Sequence, residues 1–115
     1  MRDTLYLIRA PFEDSAPGEG ATWYCHDCAA LEGALLANAH WLRSLDVRRL
    51  AFPRPRHELI ALIGEENQGM PVLILGDPAK APADACRFER RAFLTDPRAI
   101  ARYLAAAYGG AGPHP

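Results

Sequence analysis

Cys25-His26-Asp27-Cys28 sits inside the run YCHDCAALEG, at the front of a helix-like stretch. The thiolate is the form of cysteine that attacks disulfides and binds metals. A helix start favours that anion, because unpaired backbone N–H groups and the helix dipole both point positive charge at it. A protonated His26 acts in the same direction. Asp27 opposes it, since a neighbouring carboxylate disfavours a second anion. His26 and Asp27 are therefore read as tuning residues, and Cys25 is expected to be moderately reactive. A second cysteine one helical turn on is close enough to attack a mixed disulfide and release the product.

Two other readings of the pair stand beside this one. Two cysteines at this spacing are half of a zinc site. The remaining ligands would come from Cys86, His26, His40 or His57, but the chain has no second pair at ligand spacing, so no metal is assigned. Alternatively, both thiols are small inert residues. Cys86 itself is read as a small buried apolar residue.

Arg54 and Arg56 follow a strand-like run and precede a short helical one. An arginine there can grip a carboxylate with two bonds; the competing reading is a solvated basic turn. Glu65 to Gln68 form a polar loop ahead of Pro71. Trp23 and Tyr24 either shield the cysteines from water or pack the loop before them.

These residues need a scaffold, and the chain has the means to build one. It has 115 residues, half of them hydrophobic and 23% charged, with a net charge of −1. That length fits one domain, expected over residues 1–110, with a flexible tail at 111–115. The balanced charge gives no general pull toward nucleic acid or anionic membranes, and no segment reaches membrane-spanning length. The start, MRDTLYLIRAPF, has too short an apolar run for a secretion signal. A cytoplasmic setting with reduced thiols is expected. Nothing in the sequence sets the oligomeric state.

Thr4–Arg9 (TLYLIR) reads as a buried strand, followed by a long loop, APFEDSAPGEGATW, that is expected to act as a flap. A helix is expected from about His26 to Leu45, with Leu31, Leu35, Leu42 and Leu45 on its apolar face. Gly33 within it suggests close packing on a neighbour. Val47–Phe52 reads as a strand, and residues 56–63 as a helix stopped by Gly64. Pro71–Leu75 (PVLIL) is apolar throughout, as in a strand buried on both faces. Residues 86–89 alternate like an edge strand. Thr95 or Asp96 caps a last helix with Pro97 at its first position, and Gly109-Gly110 ends it. The order is β-α-β-α-β-β-α, an α/β fold with a four-stranded mixed sheet in which strand–helix–strand units make the parallel pair.

That order, with the cysteine motif opening the first helix and Met70-Pro71 entering the third strand, resembles the thioredoxin-like fold of glutaredoxins. The segment FLTDPRAIARYLAAAYG is similar to the end of the N-terminal domain of glutathione transferases. The whole chain looks like a bacterial family of standalone thioredoxin-like proteins of unknown function, on the runs WYC-x-x-C-A-x-x-E-G, F-P-R-P-R, G-E-E-N-Q and P-V-L. The resemblance implies that Cys25 is the nucleophile, Cys28 the resolving thiol and Pro71 a cis-proline facing them. It implies that the Met70 backbone pairs with the substrate, and that Thr95 and Asp96 meet the γ-glutamyl group of a bound glutathione. The expected function is thiol–disulfide exchange on a disulfide substrate, with no required cofactor and glutathione as an optional reductant or ligand. The alternative is a non-catalytic binding module of the same fold with structural or zinc-binding cysteines. Two features depart from the resemblance: a long loop separates the first strand from the cysteines, and the chain carries no all-helical second domain.

Overall fold

The computed structural model describes all 115 residues. β1 (Thr4–Ile8) is buried along its whole length and forms the middle of the molecule. A two-stranded flap follows, β2 (Phe12–Glu13) with β3 (Thr22–Trp23). Next come α1 (His26–Ala37), β4 (Asp46–Leu50), α2 (His57–Ile63) and β5 (Val72–Ile74). β6 (Cys86–Phe88), β7 (Arg91–Leu94) and α3 (Pro97–Tyr108) complete the chain. Five strands form one mixed sheet in the order β4-β1-β5-β7-β6. Only β1 and β4 are parallel; the other pairs run antiparallel.

The sheet has five strands where four are expected from the sequence. The addition is β7, which lies between β5 and β6. The last hairpin is therefore β6–β7, and the expected edge strand at Cys86 is indeed the edge.

Which helix covers which face follows from two arginines. Successive side chains of a strand point to opposite faces. Arg48 reaches Glu58 on α2, with Nη2 donating to Oε1 at 2.8 Å. Arg49 reaches Glu32 on α1, with Nη2 donating to Oε1 at 2.7 Å. So α1 and α2 lie on opposite faces, and α3 packs beside α1. This double cover explains why β1 and β5 are buried throughout. Both ion pairs are largely solvent-exposed and contribute little to stability.

The helix expected from His26 to Leu45 ends at Ala37. Asn38 turns the chain by taking the Ala34 carbonyl with both its backbone N–H and its side-chain amide. A 3₁₀ turn, Ala39–Arg43, follows. The break changes which residues face inward: Trp41 is fully buried, whereas Leu42 and Leu36 are exposed. Gly33 does not mark a close approach, because a Cβ there would meet nothing within 4 Å. Gly76 does, because a Cβ there would lie 2.0 Å from the Met1 carbonyl oxygen.

Asp96 caps α3 as expected, its Oδ2 accepting from Ala99 N–H at 2.8 Å, with Pro97 following. The segment after α3 is tied down at its start. Ala111 exchanges two hydrogen bonds with the Asn38 side chain, and Trp41 Nε1 donates to Gly109 O at 2.7 Å. No helix is long and apolar enough to cross a membrane.

Candidate functional site

Strand direction brings the site together. β1 and β4 are parallel, so both deliver the chain to the same end of the sheet. The flap and Cys25 follow β1, and the loop to Arg56 follows β4. β5 runs the opposite way, with Val72 opposite Tyr6, so Met70 and Pro71 enter at that same end. Phe12 of the flap stacks on Phe52 of the β4 loop, ring centroids 4.3 Å apart, which fixes the two loops to each other.

Cys25 is the N-cap of α1, with extended backbone angles, and is half-buried. Its Sγ accepts from Cys28 N–H at 3.2 Å, so a sulfur takes the place that a serine or aspartate oxygen fills in most caps. Cys28 is buried at 3% exposure, and its Sγ accepts from Ile8 N–H at 3.4 Å. Burial, followed by its bond with Cys25, pushes the Cys28 thiol up to about 12, against the opposing Ile8 N–H. The two cysteines thus differ: one sulfur meets solvent at a helix start, and the other is a buried thiol one turn on. Neither forms a disulfide.

Met70, Pro71 and Thr95 line one groove of about 300 Å³, together with Asp27 of α1 and Glu66 of the preceding loop. The Met70–Pro71 bond is cis, as are Ala10–Pro11 and Arg54–Pro55. The Met70 amide and carbonyl make no backbone hydrogen bond. Asp96 is not brought to this groove. Its carboxylate caps α3, and it lines a separate cleft of about 590 Å³ between α1, α3 and the residues after Ala111. His26 and Arg54 are exposed, and neither forms an ion pair.

Arg56 is placed differently from an arginine that waits for a substrate. It is 7% exposed. Nε and Nη2 donate to the Phe52 carbonyl at 3.1 and 2.6 Å, and Nη1 donates to the Gln68 carbonyl at 2.7 Å. Gln68 completes the arrangement: its Oε1 accepts from Arg56 N–H at 2.8 Å and its Nε2 donates to Glu65 O at 2.9 Å. The role of Gln68 was not legible from its type, because a glutamine in a polar loop is ordinarily solvated. Cys86 is exposed on β6, not buried as expected. No three histidine, cysteine or acidic side chains gather in a way that could hold a metal ion.

No curated protein and no solved structure matches this chain. The family described as "Protein of unknown function (DUF3088)" matches residues 2–112, nearly the whole sequence. The chain, with its thiol pair at the start of α1, is a member of the DUF3088 family.

Proposed function

We propose that the chain is a thiol–disulfide oxidoreductase on a thioredoxin-like scaffold, acting by dithiol exchange through Cys25 and Cys28. The observation that carries this reading is the asymmetry of the two sulfurs. Cys25 meets solvent at the first amides of α1, while Cys28 is buried against Ile8 and hydrogen-bonded through its own amide to Cys25. A first attack needs an accessible thiolate, and a second needs a sulfur held in reserve one turn away. The element order around the pair, with Pro71 leading into β5 at the same end of the sheet, supports the scaffold assignment.

The chemistry balances without a cofactor. The Cys25 thiolate attacks a disulfide R–S–S–R′, forms Cys25–S–S–R and expels R′S⁻, which takes up a proton. Cys28 attacks Cys25 Sγ, and its proton passes to the departing RS⁻. The mixed disulfide breaks, RS⁻ leaves, and a Cys25–Cys28 disulfide remains. The substrate has gained two electrons and two protons, and the dithiol has lost them. Two equivalents of a small thiol such as glutathione restore the dithiol and become its disulfide. The high position of the Cys28 thiol suits this order, because it stays protonated until the first step has placed a disulfide beside it.

The test uses a neutral substrate, bis(2-hydroxyethyl) disulfide, with the Cys86→Ser background removing the exposed third thiol. Cys25→Ser should abolish reduction. Cys28→Ser should trap a mixed disulfide on Cys25, visible as an added mass. Full turnover by Cys25→Ser would remove this residue from the role of nucleophile. If the background protein reduces no disulfide under any condition, the binding-module alternative takes its place.

A further inference from the structure

Arg56 carries a charge that nothing in the resting protein neutralises. Arginines are almost never buried unless paired, and a buried ion without a counter-ion is costly. The three ion pairs of the molecule, Arg2–Asp46, Arg48–Glu58 and Arg49–Glu32, leave Arg56 out. Its hydrogen-bond partners are neutral: the Phe52 and Gln68 carbonyls, with the Phe52 ring 5.7 Å from the guanidinium carbon. Those bonds hold the fork in place from two sides, one the β4 loop and the other the loop that leads to Met70-Pro71. Both loops stand at the end of the sheet where Cys25 opens α1.

We propose that Arg56 is a positioning residue whose fixed buried charge stabilises the Cys25 thiolate, the counter-ion that the resting site lacks. This rests on the thiol reading above. Burial and the neighbouring Arg54 both disfavour the charged guanidinium, whereas the two thiols favour it, Cys28 ahead of Cys25. The other charges near the pair come from known places. Asp27 and His26 sit on α1, Arg54 on the β4 loop, and Glu66 on the loop before β5; β1 offers only the Ile8 amide. Asp27 and Glu66 oppose a thiolate, and both Asp27 and Arg54 are exposed to water and salt. Arg56 is the one cation here that salt screens weakly, because screening acts mainly on exposed charges.

The experiment follows the rate of Cys25 alkylation by iodoacetamide against pH in the Cys86→Ser background, resolved by peptide mass. Arg56→Gln keeps donors and removes the charge. It should slow Cys25 alkylation several-fold at pH 7 and move the profile toward higher pH, the direction expected when a nearby opposite charge is lost. Arg56→Lys keeps the charge and loses the fork, and it should stay within about twofold of the parent. Overlaid profiles for parent and a folded Arg56→Gln would overturn the proposal. So would Arg56→Lys moving as far as Arg56→Gln, since hydrogen bonding and not charge would then be responsible. If the glutamine variant does not fold, the parent itself decides. Its midpoint should not rise between 0.05 and about 1 M salt, since screening of exposed Asp27 and Glu66 can only lower it, and a midpoint that rises with salt would assign the effect to exposed Arg54 instead. A shifted profile that does not rise with salt, in a protein that reduces no disulfide, would leave this inference standing and sink the redox reading alone.

Discussion

The two ends of the central sheet each hold one charged side chain on neutral hydrogen-bonding groups, and they do so in different surroundings. At one end, Asp3 accepts from Gly76 N–H at 2.7 Å and from the Tyr108 hydroxyl. It joins the start of β1 to the exit of β5 and the end of α3, and it remains half-buried. At the other end, Arg56 ties the β4 loop to the loop before β5, and it is buried. The Asp3 end closes the fold: the charge is shared with water, and its bonds connect distant parts of the chain. The Arg56 end uses similar bonds to hold an unneutralised charge at the end of the sheet where the two thiols lie. Similar hydrogen bonding thus serves cohesion at one end and electrostatic bias at the other, and burial makes the difference.

Alkali strikes both ends and should have the largest effect. The Cys28 thiol is raised from 9.0 to about 12. Tyr6 is raised from 10.0 to about 12, by burial first and by neighbouring Glu58 second. Tyr108 is raised by burial and then by its bond to Asp3. Between about pH 9 and 12 the unfolded chain has released these protons while the native chain keeps them. The unfolded state then binds fewer protons, and stability falls as pH rises. Urea midpoints should hold below pH 9 and drop steeply above it; a constant midpoint up to pH 11 would contradict the burial of these groups.

Next in size is Gly76→Ala, whose methyl would collide with the Met1 carbonyl. A loss of about 3 kcal/mol is expected, read as a lower melting temperature, and an unchanged temperature would remove the close approach. Asp3→Ala strands a hydroxyl and an amide, for about 2 kcal/mol. It should leave the Cys25 alkylation profile untouched, whereas Arg56→Gln should move it. If Asp3→Ala shifts the profile as well, the contrast between the two ends dissolves. The smallest effect carries the opposite sign. Gly33→Ala fills open space on α1 and should add about 0.5–1 kcal/mol.

The elements that signal themselves in the sequence are those with a strong local pattern. Leu5–Ile8 and Val72–Ile74 are continuous runs of strand-forming, mainly apolar residues. Asp96-Pro97 caps α3, and Gly109 ends it. Arg91–Leu94 escaped notice because its first residue follows Glu89-Arg90 and its last precedes a cap, leaving only Ala92, Phe93 and Leu94 as apolar signal. The flap strands are two residues each, too short for alternation to register. The break at Asn38 depends on a bond to Ala111, 73 residues away, which no local window contains. At the site, the cysteine spacing was legible at once, because the residue types and their separation are themselves the signal. Arg56 stood out only as an exposed grip for a carboxylate; its burial was not legible, because it is decided by the loops folded over it and not by its neighbours in sequence.

The clasp between Asn38 and Ala111 also sets how the molecule bears load. A pull applied at Pro115 does not travel along α3 alone; at Ala111 it divides, and part passes through a buried amide into the far end of α1. Trimming the chain after Gly110 would remove that branch and leave Asn38 Oδ1 without its donor, while Nδ2 keeps the Ala34 carbonyl. The shortened chain should then lose about as much as Asn38→Ala does, on the order of 1–3 kcal/mol for an unsatisfied buried amide, although only five residues would be gone.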